Sequence, residues 1–167
     1  MILFISDLHL APQAPGVARL FLDFLGGRAR AAEHLFILGD LFEAWIGDDD
    51  CDDPFNAEVV GALRLASESG LKISAMHGNR DFLLGTGFTA ASGVKLLNDP
   101  YVLSTAEWQF VLSHGDALCL DDTAYMAFRT QVRNPEWQAA LLAKPLIERR
   151  AIAAHMREVS ESSQRGK

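Results

Sequence analysis

Residues 71–81 read LKISAMHGNRD, an apolar run that ends in a glycine and three polar side chains. A short apolar run bounded by turn residues is typical of a buried strand, which we predict at 71–76. The turn that follows, Gly78-Asn79-Arg80-Asp81, combines a glycine suited to tight turns with side chains that bind metals or phosphate. A strand with such a turn at its end indicates an α/β fold with a ligand site at the carboxyl edge of its sheet.

The chain before this stretch repeats the same arrangement. Apolar runs at 2–6 and 35–38 predict two more strands, and a helical pattern at 17–30 lies between them. A further helix is predicted at 54–69, where Asp53-Pro54 supplies an N-cap followed by proline at the first helical position. Strands that alternate with helices predict βαβ units and a parallel sheet.

After this stretch the predicted secondary structure changes twice, first to a hairpin and then to helices. A short helix is predicted to end near Ser92, and the runs at 101–105 and 108–113 predict a β-hairpin. From about residue 121 the period is helical, and Asn134 before Pro135 predicts a second capped helix start. We find no internal repeat or flexible linker in the sequence.

Size and charge limit the function classes. The chain has 167 residues, 49% of them hydrophobic, which is typical of one globular domain. Residues 1–128 hold 7 basic and 18 acidic side chains, a net charge of −11, and residues 129–167 hold 8 and 4, a net charge of +4. The acidic front disfavours nucleic acid, whereas the basic tail can contact phosphate or an anionic membrane surface.

Cysteine usage and hydropathy indicate a cytosolic protein without a membrane span. Cys51 and Cys119 have no motif spacing, so reduced thiols are expected. No stretch reaches the roughly 18 apolar residues that a membrane span requires. No obligate protein partner is predicted.

Four polar blocks follow predicted strands. They are Asp7-Leu8-His9, Gly39-Asp40, Gly78-Asn79-Arg80-Asp81 and His114-Gly115-Asp116. Because the carboxyl ends of strands line the ligand crevice of an open α/β sheet, the blocks can converge there. If the first strand continues through Asp7 and His9, the two side chains point the same way and can share one ion.

The ligand types indicate a divalent metal. Carboxylate, imidazole and amide groups without a thiolate suit Mn²⁺, Mg²⁺ or Fe²⁺ better than a structural zinc. Asp40 can bridge two ions about 3.5–4 Å apart, an arrangement that supports phosphoryl transfer. Taken singly, such residues are more often turn formers or satisfied polar side chains, but the ordered set favours a metal site. We interpret Asp48, Asp49 and Asp50 as a solvated loop and His77 as structural.

The order of the blocks, DxH, GD, GNRD and HGD, resembles that of the calcineurin-like metallophosphoesterases. The resemblance implies an α/β fold, a sandwich of mixed β-sheets flanked by helices, with a helical cap from about residue 121. It implies two metal ions, the first held by Asp7, His9 and Asp40 and the second by Asp40, Asn79 and His114. Asp40, Asn79 and His114 then carry the catalytic roles.

Longer sequence stretches narrow the resemblance to one family of enzymes. The words FISDLHL (4–10), ILGDLFEAWIGDDD (37–50), HGNRDFLLG (77–85) and SHGDALCLDDTAYMAFRTQVRNPEWQ (113–138) look like the UDP-2,3-diacylglucosamine hydrolases of lipid A biosynthesis. The likeness covers nearly the whole chain. It implies that metal-activated hydroxide attacks the pyrophosphate, usually with Mn²⁺, and gives 2,3-diacylglucosamine 1-phosphate and UMP. The substrate-binding residues it implies are Asn79, Arg80, Asp122, Ser160, Gln164 and Lys167.

Local chemistry is compatible with these substrate roles and leaves alternatives. The guanidinium of Arg80 can bind a phosphate in a two-pronged contact, and the carboxylate of Asp122 can accept hydrogen bonds from sugar hydroxyls. An ion pair of Arg80 with Asp81 is the alternative for that residue. For Ser160 and Gln164 the alternative is a solvated helix end.

The basic tail reads as an amphipathic helical segment. Residues 137–156 combine leucine, isoleucine and methionine with lysine and arginine, a pattern of packing helices and of membrane-surface helices alike. The resemblance implies a helical lid over 121–165 that caps the site and encloses acyl chains. A lipid substrate in turn implies a cytoplasmic protein, peripheral on the cytoplasmic face of the inner membrane.

The sequence departs from the family at one block. The family completes both metal shells with a late Gly-His-Xaa-His block, and the five histidines of this sequence are His9, His34, His77, His114 and His155. We therefore expect a C-terminally incomplete single domain over 1–167 in which each ion lacks one imidazole and turnover fails. Two alternatives stay open, a metallophosphoesterase for another phosphoester and an inactive remnant that binds lipid or metal.

Overall fold

A computed structural model describes the backbone of residues 1–165 and the side chains of residues 1–158. Its centre is a parallel sheet in the order β1 (Ile2–Ile5), β2 (His34–Ile37), β3 (Lys72–Met76) and β4 (Lys95–Leu97). The pairing starts with Ile2 opposite His34 and His34 opposite Lys72. The predicted βαβ units and parallel sheet are confirmed. Strand β4 was not predicted, because three residues between two turns give no hydrophobic period.

Three helices lie between the strands in sequence. They are α1 (Pro15–Gly26), α2 (Pro54–Glu68) and α3 (Thr86–Ser92). The Asp53 side chain caps α2 by accepting a hydrogen bond of 3.1 Å from the Phe55 N–H, as the Asp-Pro pair predicted. Helix α1 ends earlier than the predicted 17–30, because two consecutive glycines favour a break and a 3₁₀ turn follows at Arg28–Ala31.

A hairpin covers part of the other face of the sheet. Its strands are β5 (Tyr101–Ser104) and β6 (Gln109–Leu112), which pair antiparallel as predicted. A large apolar core contains residues of the helices and the parallel sheet, and a smaller core joins Phe36 and Met76 of the sheet to Leu112 of the hairpin. The fold is therefore α/β, with a parallel and an antiparallel sheet flanked by helices.

The last part of the described chain is helical, as its period predicted. It forms α4 (Thr123–Val132), α5 (Pro135–Leu142) and α6 (Leu146–Arg165). Asn134 caps α5 through hydrogen bonds from the N–H groups of Glu136 and Trp137. Among the helices that the structure describes, none is long and apolar enough to cross a membrane.

Candidate active site

The polar blocks lie at strand ends, as predicted. Asp7 follows β1, Asp40 follows β2, Asn79 follows β3, and His114 follows β6 of the hairpin. The ligand atoms of Asp7, Asp40 and His114 all lie within 4.8 Å of one another. Three parallel strands and the hairpin thus bring their polar ends to one place.

Asp40 is the common neighbour of the remaining residues. Its Oδ2 is 3.7 Å from Nε2 of His9 and 3.9 Å from Nε2 of His114. The His114 Nε2 is also 3.3 Å from Oδ1 of Asn79. The structure therefore brings all five sequence-predicted metal ligands together, around a carboxylate that is almost completely buried.

The backbone of this cluster is strained. Within the described part of the chain, the non-glycine residues with positive φ are Asp7 (54°), His9 (48°) and Asp40 (53°). Left-handed backbone at such residues costs free energy and concentrates at functional sites. Strand β1 ends at Ile5, so the condition that it continues through Asp7 and His9 is not met. Both residues reach the cluster from a loop.

Hydrogen bonds fix that loop. The Asp7 N–H donates to the Gly39 carbonyl at 3.1 Å and the His9 N–H donates to the Asp40 carbonyl at 3.0 Å. The first two ligand-bearing loops are therefore joined by backbone contacts, which hold their side chains at a fixed separation without a further strand.

Glycines make the close approach of these loops possible. A Cβ on Gly39 would lie 2.5 Å from Nδ1 of His114, and a Cβ on Gly78 would lie 1.9 Å from Oδ1 of Asp40. No side chain fits at either position. The two glycines are thus part of the cradle around Asp40 and His114.

The donor set suits a divalent cation. Burial raises the pKa of Asp40 and the neighbouring Asp81 adds to this rise, although a hydrogen bond of 2.9 Å from the Arg80 N–H opposes it. A cation among these carboxylates and imidazoles would offset the cost of the buried charge. Nδ1 of His114 is 2.9 Å from the Leu38 carbonyl oxygen, so a proton on Nδ1 would be donated there. Nε2, which faces Asn79 and Asp40, would then be the nitrogen that binds a cation.

Asp81 was not predicted as a site residue. It is fully buried, and its carboxylate accepts hydrogen bonds from the N–H groups of Gly78 and Leu41, each at 2.8 Å, and from Phe42 at 3.4 Å. Burial raises its pKa, against the three backbone donors. An aspartate directly after the Gly-Asn-Arg turn was the available signal, but sequence spacing could not show which backbone groups it would meet.

Arg80 and Asp122 border a cavity of about 490 Å³ that extends from the cluster. The Arg80 Nη1 is 3.8 Å from Oε1 of Glu43, whereas the two carboxylate oxygens of Asp81 accept hydrogen bonds from backbone N–H groups. Asp122 caps α4 by accepting from the Tyr125 N–H at 3.0 Å. Beyond these polar residues the wall is mainly apolar, with Trp45, Ile46, Phe82, Leu83, Phe128, Leu141, Ile152 and Met156.

Asp116 anchors helix α4 to the loops that carry the predicted metal ligands. The Asp116 Oδ2 accepts hydrogen bonds of 2.9 Å from the Tyr125 hydroxyl and from Nε of Arg129. Burial raises the pKa of Asp116, but the hydrogen bonds from Arg129 and Tyr125 outweigh it and hold the pKa below its ordinary value. Arg133 in turn donates to the Gly78 carbonyl at 3.0 Å. The cavity wall and the loops of the cluster therefore share one polar network.

The acidic triplet is not the solvated loop that the sequence suggested. Asp48 accepts hydrogen bonds from Trp45 Nε1 at 3.0 Å and from the Gly85 and Gly87 N–H groups at 3.1 and 2.8 Å. Asp49 and Asp50 bind Arg149 and Arg150 of α6. These contacts fasten α6 over the segment that lines the cavity. Three of the predicted substrate contacts, Ser160, Gln164 and Lys167, lie outside the described side chains.

Curated relatives are similar to this chain over nearly its whole length. The chain is 54% identical to the UDP-2,3-diacylglucosamine hydrolase of Chromobacterium violaceum over 159 residues, which are 95% of this chain and 66% of that protein. It is 49% identical to that of Pseudomonas putida over 167 residues, or 100% of this chain and 69% of the relative. For an Escherichia coli relative of the same name the identity is 47%, over 99% of this chain and 68% of the relative.

The chain belongs to the UDP-2,3-diacylglucosamine hydrolase family. It spans about two thirds of the length of these family members. No protein-family model matches it.

Solved structures are more distant than these family members. The Pseudomonas putida nuclease MPE is 25% identical with a TM-score of 0.46, over 60% of this chain and 49% of that chain. The phosphoesterase Yfce from Escherichia coli is 20% identical with a TM-score of 0.42, over 70% of this chain and 58% of that chain. At these TM-scores the likenesses do not bear on the site.

Proposed function

We propose that this protein hydrolyses the pyrophosphate bond of UDP-2,3-diacylglucosamine and releases UMP and 2,3-diacylglucosamine 1-phosphate, a step of lipid A biosynthesis. The observation that carries the proposal is the junction of the two parts of the site. Asn79 belongs to the metal-type cluster through its 3.3 Å contact with His114, and it also lines the cavity next to Arg80. A phosphate at this junction would have the mainly apolar cavity on one side.

The cofactor in this proposal is a pair of Mn²⁺ ions. Asp7, His9 and Asp40 would hold the first ion, and Asp40, Asn79 and His114 the second. Two such ions activate water and offset the negative charge of the phosphate oxygens when they are bound. Asp40 neighbours both histidines, which supports the proposal that its carboxylate serves both ions.

The protein groups would orient the substrate. Arg80 has a planar guanidinium that can bind two oxygens of one phosphate, which an ammonium group cannot do. Asp122 is fixed at the start of α4 and presents a carboxylate to the cavity, where it can accept hydrogen bonds from sugar hydroxyls. Ser160, Gln164 and Lys167 stay predicted substrate contacts.

The cavity supports an acylated substrate. Its volume of about 490 Å³ lies within the range of small-molecule pockets, and aromatic and aliphatic side chains dominate its wall. Residues of α4, α5 and α6 supply much of that wall, so these helices would act as the lid over 121–165. Burial of acyl chains there would contribute binding free energy in proportion to the apolar area covered.

A substrate of this kind is found in a membrane, which leads to the proposed location. We place the protein on the cytoplasmic face of the inner membrane as a peripheral protein. Exposed apolar side chains on the helical part support this, because Ile147 of α6 is 75% exposed and Leu142 of α5 is 41% exposed. Such residues beside basic ones are typical of surfaces that bind a bilayer interface.

The test is UMP release from UDP-2,3-diacylglucosamine in a Mn²⁺ series, with chelator controls and with Asp40→Asn as the matched variant. This sequence alone is expected not to turn over substrate, so the parent chain of these assays is this sequence extended by the family's C-terminal region with the Gly-His-Xaa-His block. We expect Mn²⁺-dependent UMP release by that parent chain. Asp40→Asn should lose about 100-fold or more, because loss of a direct metal ligand should cost at least as much as loss of a group that only supports a ligand. Calorimetric Mn²⁺ binding is measured in parallel on both proteins.

Two other outcomes would contradict the proposal. Hydrolysis of bis(p-nitrophenyl) phosphate without UMP release from the lipid substrate would favour a metallophosphoesterase for another phosphoester. Tight Mn²⁺ binding with no turnover of either substrate would favour a chain that binds metal or lipid without catalysis.

A further inference from the structure

Glu43 lies beside the cluster of predicted metal ligands but belongs to none of the four polar blocks identified in the sequence. Its backbone N–H donates to the Leu10 carbonyl at 3.1 Å, and Leu10 and Phe42 form an isolated parallel bridge. Leu10 directly follows His9. The backbone thus fixes Glu43 next to the loop that presents Asp7 and His9.

The Glu43 carboxylate faces two different functional side chains. Its Oε2 is 3.0 Å from Nδ1 of His9, and its Oε1 is 3.8 Å from Nη1 of Arg80. The first separation is of ion-pair length, although the ring is not aligned as a hydrogen-bond donor. The Glu43 side chain is 20% exposed, so solvent screens these contacts only in part.

The His9 ring spans the distance between two carboxylates. Its Nε2 is 3.7 Å from Asp40 Oδ2, while its Nδ1 faces Glu43. A histidine that binds a metal through one nitrogen commonly gives the N–H of the other to a carboxylate, which fixes the ring and its tautomer. A rotation of the His9 ring that aims Nδ1 at Glu43 would complete such a contact.

We propose that Glu43 is a positioning residue that holds His9 and Arg80 in place at the same time. One carboxylate oxygen faces Nδ1 of His9 and orients the ring so that Nε2 points toward Asp40. The other oxygen restrains the guanidinium of Arg80 at the wall of the cavity. Glu43 would therefore couple the ion held by Asp7, His9 and Asp40 to the group that binds the phosphate. This inference rests on the proposed function.

The experiment compares Glu43→Gln and Glu43→Ala with the parent chain. Glu68→Gln is the matched control, because Glu68 also pairs with an arginine, Arg64, at 2.9 Å but on the exposed face of α2. Mn²⁺ affinity is measured by calorimetry, and thermal melting is measured without metal. Values of kcat and KM for the lipid substrate come from the same preparations.

We expect Mn²⁺ to bind about 10-fold more weakly to Glu43→Gln and up to about 100-fold more weakly to Glu43→Ala. The glutamine keeps an acceptor oxygen for the His9 N–H but removes the charge. Without metal, the melting temperatures of the two Glu43 variants should change no more than that of Glu68→Gln. If Glu43 were needed only for folding, its variants would instead melt at clearly lower temperatures. KM should rise as well, because Arg80 loses its restraint.

A double-mutant cycle in steady-state kinetics tests whether Glu43 restrains Arg80. The fold-increase in KM caused by Arg80→Lys should be smaller in the Glu43→Gln background than in the parent, because part of the Arg80 contribution is already lost. Equal increases in both backgrounds would overturn the coupling.

Failure of this inference is distinguishable from failure of the proposed function. Unchanged Mn²⁺ affinity in Glu43→Ala, with normal hydrolysis by the parent, would overturn the role of Glu43 and leave the function intact. Weaker Mn²⁺ binding by Glu43→Ala, together with a parent chain that releases no UMP, would support the positioning role of Glu43 and contradict the proposed function. A parent chain that binds no Mn²⁺ would refute both.

Discussion

The carboxylate of Asp81 accepts a hydrogen bond from the N–H of Leu41 at 2.8 Å, across forty residues of sequence. The contact is reciprocated, because Asp40 Oδ1 accepts from the N–H of Arg80 at 2.9 Å. Each loop of the pair therefore uses an aspartate to bind the backbone of the other. This exchange fixes the loop after β2 to the loop after β3 and sets the position of Asp40 in the cluster.

Asp81→Asn should destabilise the protein although it changes one atom. Both carboxylate oxygens of Asp81 accept backbone N–H groups, so the amide NH₂ must face a donor whichever way it is placed. A buried donor left unsatisfied costs about 1–3 kcal/mol. Urea denaturation should show a loss of this size, whereas Asp23→Asn, on the exposed face of α1, should change stability by less than about 0.5 kcal/mol. Equal midpoints for the two variants would contradict the exchange.

The contact between Asp49 and Arg149 gives a pH-dependent prediction. Hydrogen bonding to Arg149 lowers the pKa of Asp49. A carboxyl group with a lower pKa in the folded state contributes stability above its ordinary pKa, and that contribution is lost as pH falls through the lowered value. Because the Asp49 side chain is 58% exposed, solvent and salt screen the effect.

The measurement is the stability of the parent chain and of Asp49→Asn between about pH 7 and pH 2. The parent should be more stable near neutral pH, and the difference should shrink as the acid range is entered. Asp23→Asn supplies the baseline for an exposed aspartate. A difference that stays constant with pH, or grows toward acid, would show that the ion pair does not contribute in this way.

The sequence could predict where the polar blocks lie but not the backbone that carries them. Four blocks after strands are recognisable because strand ends converge in a parallel sheet. The left-handed conformation of Asp7 and His9 was not predicted, although aspartate and histidine adopt it more readily than most residues. That conformation depends on hydrogen bonds to Gly39 and Asp40 from a distant part of the chain.

Charged residues were harder to interpret from sequence. The triplet Asp48–Asp50 reads as a solvated loop because its partners, Arg149 and Arg150, are about a hundred residues away. Glu43 and Asp81 were missed for the same reason, since their roles depend on backbone and side-chain groups that the fold brings to them. The narrow polar motifs thus indicate the chemistry of the site, while its supporting contacts depend on tertiary structure.

Ile152→Asp should separate a substrate-binding role of α6 from a structural one. Ile152 lines the cavity, and a carboxylate there would have to be desolvated when acyl chains enter. KM for the diacylated substrate should rise at least about tenfold, while turnover of bis(p-nitrophenyl) phosphate should change little. Ile147→Asp is the matched control, because Ile147 is on the same helix and 75% exposed. An equal loss on both substrates would instead identify Ile152 as a packing residue.

Gly78→Ala should remove metal binding through a single added methyl group. The Cβ of an alanine at this position would lie 1.9 Å from Oδ1 of Asp40 and 2.3 Å from its backbone nitrogen. Neither atom can yield cheaply, because Asp40 is buried, has a positive φ of 53° and is held by the Arg80 N–H. The loop after β2 must therefore shift, and the shift moves the carboxylate that both proposed ions share.

The matched control is Gly61→Ala in α2, where an added Cβ meets nothing within 4 Å. Alanine in a helix interior is favoured over glycine by about 0.5–1 kcal/mol, so this variant should gain stability and keep its Mn²⁺ affinity. Gly78→Ala should lose stability by about 1–3 kcal/mol, as expected for overpacking, and lose measurable Mn²⁺ binding in calorimetry. If Gly78→Ala bound Mn²⁺ as tightly as Gly61→Ala does, the cradle around Asp40 would not be what holds the metal.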